Sequence, residues 1–64
     1  MTKEQIIEEI EWRLDHARAL EDQLEIDWTA DVTDEDIYIQ LMMWRASRVS
    51  LENLLRAINR SNTQ

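Results

Sequence analysis

Neither glycine nor proline occurs anywhere in the 64 residues. Such a chain has no residue that adopts left-handed backbone cheaply for a tight turn and none that forces a helix to stop. Clusters of Asp, Thr, Asn and Ser are the remaining punctuation. One cluster stands mid-chain, the run from Asp27 to Thr33. Apolar residues recur at helical spacing on both sides of it, which predicts an all-α fold. The expected architecture is an antiparallel two-helix hairpin, with helices over about 3–27 and 34–60 in a single domain spanning residues 1–64.

The first helix is expected to start at Thr2 as N-cap, with Gln5 three residues later completing a capping box that satisfies two backbone donors. Ile7, Ile10, Leu14, Ala17, Leu24 and Trp28 then form a heptad-like seam interrupted by Glu21, and Ile6 and Leu20 widen it on one flank. Trp12, Ala19 and Ile26 widen it further, so the apolar face exceeds what one neighbouring helix covers. In the second helix Thr33 is the expected N-cap, and Asp34, Glu35 and Asp36 suit the positive end of the helix dipole. Ile37, Leu41, Trp44, Leu51, Leu55 and Ile58 make its stripe, with Arg48 among them and Arg56 and Arg60 near its C-terminal end. Residues 61–64 read as a frayed tail.

A chain this short buries only about 60% of the surface its unfolded form exposes, so its core needs a supplement. Disulfides and thiolate metal sites are excluded by the absence of cysteine, and a single histidine, His16, speaks against structural zinc. Association remains, and two hairpins laid face to face as a homodimeric four-helix bundle are the commonest symmetric solution. Polar residues on packed seams can set helix register, a role open to Glu21 and Arg48. With the turn centred near residue 31, however, Glu21 is expected opposite Leu41 to Arg45, which argues against a direct pair with Arg48.

Charge divides the chain sharply. Residues 1–36 carry 13 acidic and 3 basic side chains, net −10, and residues 37–64 carry 1 and 4, net +3, giving the overall −7. Phosphate binding draws its affinity from clustered Lys and Arg, so direct nucleic-acid binding is not expected. The longest apolar run, Leu41 to Trp44, has four residues, so neither a signal peptide nor a membrane span is expected and the cytoplasm is the expected location.

No catalytic template is filled, and the chain is expected not to be an enzyme. His16 falls on the acidic, outward side of the first helix and reads as a solvated surface residue. It is preceded three residues earlier by Arg13, not the glutamate of a Glu-x-x-His metal motif. Asp27, Asp31 and Asp34 lack the glycine and the closing glutamate of a calcium loop. Without glycine there is no phosphate-cradling loop, so no cofactor and no metal is expected.

Two surfaces are left as candidates for binding a protein partner. The first is the acidic face formed by Glu4, Glu8, Glu11, Asp15, Asp22 and Glu25, whose four-residue steps rise about 6 Å, comparable with phosphate spacing along a nucleic-acid strand. That ladder fits a partner with a basic surface, and it fits equally a face that only keeps a small bundle in solution. The second is apolar: seven of the eight residues from Ile37 to Trp44 are hydrophobic, and Trp12, Ile37, Tyr38, Leu41, Met42 and Trp44 belong either to a dimer core or to a patch for another protein. The expected function is that of a non-enzymatic protein-binding regulator or inhibitor acting through the acidic face, the Tyr38/Met42 patch or both, and a phage-type inhibitor that imitates nucleic-acid charge against a basic nucleic-acid-handling partner is one form of it. The alternative is a structural element that completes a helical bundle with a partner.

Overall fold

The computed structural model describes residues 1–60, and the expectation for the tail at 61–64 lies outside them. The described chain is a two-helix hairpin: α1 runs Lys3–Ala30 and α2 runs Glu35–Arg60. At 28 and 26 residues the helices are about 42 and 39 Å long at 1.5 Å per residue. The radius of gyration is 14.6 Å, against about 11 Å for a compact chain of this length, so the hairpin is a rod.

The start of α1 is the expected capping box. The Gln5 N–H donates to Thr2 Oγ1 at 3.2 Å, and the Thr2 N–H donates to Gln5 Oε1 at 2.9 Å. Its end is not where the breaker residues put it, because α1 continues through Asp27 to Ala30. The polar side chains there find partners within the helix. Gln23 Nε2 donates to Asp27 Oδ1 at 3.1 Å, and Thr29 Oγ1 donates to the Glu25 carbonyl at 2.7 Å. Once bonded to the preceding turn, Asp and Thr no longer compete with the helical backbone.

The turn is therefore shorter than expected, and its capping differs. The Asp31 carboxylate accepts from the Thr33 N–H at 3.1 Å and from the Thr33 hydroxyl at 2.6 Å, which commits Thr33 to the turn. These bonds, the hydroxyl's first, hold the Asp31 carboxyl below its ordinary pKa. Asp34, not Thr33, caps α2: its Oδ1 accepts from the Ile37 N–H at 3.2 Å and its carbonyl from the Tyr38 N–H at 3.1 Å. No described residue has positive φ, so this turn is closed without the backbone that normally calls for glycine. Asp34→Ala is expected to cost about 1 kcal/mol in urea denaturation and Thr33→Ala clearly less; the reverse order would return the cap to Thr33.

The core is one layer deep. Ile10, Leu14 and Ala17 of α1 and Leu41 of α2 are its buried apolar residues, and Glu21 is the buried charged one. Positions 10, 14, 17 and 21 keep the four-three spacing of the seam. Half-buried residues border this line, among them Leu24, Trp28, Ile37, Trp44, Leu51 and Leu55.

Candidate interaction surfaces

Glu21 is buried to 8% exposure, and it organises the charges between the helices. Arg48 Nε donates to Glu21 Oε2 at 2.7 Å, so the pair considered doubtful from the sequence is formed. Arg45 approaches the same carboxylate at 3.6 Å and Glu25 at 3.9 Å, and Arg48 also pairs with Glu52 one turn along α2. Hydrogen bonds to Glu21 first and Glu52 second push the Arg48 pKa up. From Ile37 to Leu55 the charged residues of α2 are Arg45, Arg48 and Glu52, and all three belong to this network. The outer side of α2 carries no charge over that length.

His16 is exposed, as expected, but it stands beside two tryptophans rather than among the carboxylates of the acidic face. Its ring lies parallel to Trp12 with centroids 5.9 Å apart and meets Trp44 edge-on at 5.7 Å. These rings, with Arg13, Ala17, Ala46, Ser47, Ser50 and Leu51, line a groove of about 640 Å³ between the helices. A second groove of about 350 Å³, lined by Met1, Ile6, Glu9, Ile10, Arg13, Leu51 and Leu54, continues it through Arg13 and Leu51. One broad side of the hairpin is thus largely apolar. Its charge is partly neutralised, because Arg13 Nε donates to Glu9 Oε1 at 2.9 Å.

The six apolar candidate residues do not form one patch. Leu41 is 1% exposed and belongs to the hairpin's own core, with half-buried Ile37 at its border. Trp12 and Trp44 line the groove. Met42 is two residues from Trp44, hence about 200° away around the helix axis, on the opposite flank. Tyr38 lies one turn from Met42 and packs on Trp28 near the turn, ring centroids 5.8 Å apart. Ile39 and Met43, which the candidate set omitted, are 54% and 62% exposed on the outer side of α2. A plot of charge around that helix would have singled them out, since they sit opposite the stripe that holds Arg48.

Of the acidic candidates, Glu4, Glu8, Glu11, Asp15 and Asp22 are exposed along one side of α1, over about 27 Å between the first and the last. Glu25 is exposed too but reaches across to Arg45. Among the described residues no group of three His, Cys, Asp or Glu is placed to hold a metal ion. No described helix is long and apolar enough to cross a membrane. No protein-family model, no curated protein and no solved structure matches this chain.

Proposed function

We propose that this chain is a non-enzymatic regulator that pairs with a second copy and engages a basic protein surface through the acidic side of α1. The observation that carries this reading is where the arginines go. Arg45 and Arg48 are turned toward Glu21 between the helices, so the basic half of the chain does not neutralise the outer carboxylates. Four exposed carboxylates in a row, Glu4, Glu8, Glu11 and Asp15, with Asp22 beyond the exposed Arg18, then present a field that recruits cations and basic grooves, as a nucleic-acid strand does. A homodimeric four-helix assembly covers apolar surface that the hairpin leaves open and supplements a core of four buried apolar residues among those described.

The test is competition with DNA. At about 50 mM salt the chain is expected to displace a fluorescent duplex from a basic, sequence-nonspecific DNA-binding protein, and to lose that ability by about 300 mM. Reversing Glu8, Glu11 and Asp15 to lysine changes the net charge from −7 to −1 and should abolish displacement. Reversing Glu9, Asp27 and Glu35, which lie off that side of α1, makes the same change of net charge and should preserve most of it. Equal loss in both triple variants would show a response to net charge alone, and displacement indifferent to salt would remove charge mimicry. A second reading, an assembly element that completes a bundle with a different protein, draws on the continuous apolar groove between Ile6 and Trp44.

A further inference from the structure

We infer that the second copy docks on the outward face of α2, antiparallel, with the two-fold axis level with Arg48. The inference deepens the pairing reading above and rests on it. Opposite the stripe that faces α1, helix α2 carries a second line of positions at alternating three- and four-residue steps, beginning at Asp36 and ending at Arg60. That spacing is the seam of packed parallel or antiparallel helices. It reads the same in both directions about residue 48. An antiparallel copy sets Ile39 against Ala57, Met43 against Asn53, and Ala46 against Ser50, each pair equidistant from that centre.

The pairing is complementary in size and in charge. A large side chain meets a small one at each end, and small residues meet at the middle, where the two helix axes can approach closely. At both ends Asp36 of one copy stands opposite Arg60 of the other, whereas a parallel arrangement would set like beside like. Between those ends the strip has no charge, and Ile39, Met43 and Leu54 hold 54%, 62% and 48% of their surface open to solvent. A basic partner would find only Asp36 to pair with here. For a chain of net charge −7, a second copy is the partner whose approach along this face leaves both acidic sides of α1 outside the contact. Ala46, Ser47 and Ser50 also border the Trp12 groove, so the copy adjoins the α2 wall of that groove.

Because the chain has no cysteine, single cysteines report the register directly. Like positions at residue 39 or at residue 57 lie about 27 Å apart in the antiparallel pair, while 39 and 57 of different copies lie within the roughly 7 Å that a disulfide spans. Ile39→Cys alone and Ala57→Cys alone should stay unlinked under mild oxidation, and a mixture of the two should give the mixed disulfide. Ala46→Glu should keep its helicity and weaken dimerisation roughly a hundredfold by sedimentation, because it buries an unpaired charge at the axis. Self-linking of Ile39→Cys would replace the antiparallel register by a parallel one and overturn the inference. A dimer whose mixed sample fails to link overturns it while leaving self-pairing intact. A monomer at every concentration overturns both readings.

Discussion

Leu41→Ala is expected to destabilise the hairpin by about 3 kcal/mol, the usual cost of deleting a buried leucine and leaving a cavity. Leu41 is the one core residue that α2 buries fully, at 1% exposure, against Ile10, Leu14 and Ala17 from α1. A chain of this length holds roughly 3–10 kcal/mol in all, so the variant should be largely unfolded at low concentration and physiological temperature. Urea denaturation followed by circular dichroism measures the change, with Val32→Ala in the exposed turn expected to shift by no more than about 0.5 kcal/mol. Self-association adds stability as concentration rises, so both variants must be compared at one protein concentration. A loss below about 1 kcal/mol for Leu41→Ala would mean that the helices are held chiefly by their outer surfaces and not by the seam between them.

The parts of this fold that were legible in the sequence are those decided within a few residues. The Thr2 and Gln5 capping box, the acidic opening of α2 and the four-three seam through Ile10, Leu14 and Ala17 each depend on local spacing. The end of α1 was not legible, because Asp27 and Thr29 are helix breakers only when their side chains lack a helical partner, and here both have one. That error propagated into the register between the helices. With α1 ending at Ala30 and α2 starting at Glu35, the turn is centred about one and a half residues later than supposed. A hairpin doubles such a shift, so the point opposite Glu21 moves three residues along α2, to within reach of Arg45 and Arg48. His16 was misplaced for a related reason. The ring contact with Trp44 depends on how the two helices are set against each other, which no single-helix periodicity encodes.

The network around Glu21 has a consequence that separates stability from specificity. A buried carboxylate that keeps two arginines pays desolvation to do so, and replacing such a group by apolar residues of similar volume is often neutral or stabilising, while removing one partner is costly. Glu21→Leu and Arg48→Leu are therefore each expected to lower the urea midpoint, the first by leaving Arg48 to Glu52 alone and Arg45 to Glu25 at 3.9 Å, the second by leaving Glu21 with Arg45 at 3.6 Å. The double variant Glu21→Leu with Arg48→Leu should recover the parent midpoint or exceed it, a strong departure from additivity. It should also lose definition. Leucines at both places make the seam between α1 and α2 apolar throughout, and an unbroken apolar seam tolerates slippage and alternative partners that a buried ion pair disfavours. Sedimentation should then show species larger than the parent's, and amide exchange should be faster than the recovered midpoint implies. Additive losses in the two single variants would mean that Glu21 and Arg48 act separately, and a double variant with the parent's mass and protection would deny the pair any part in setting the register.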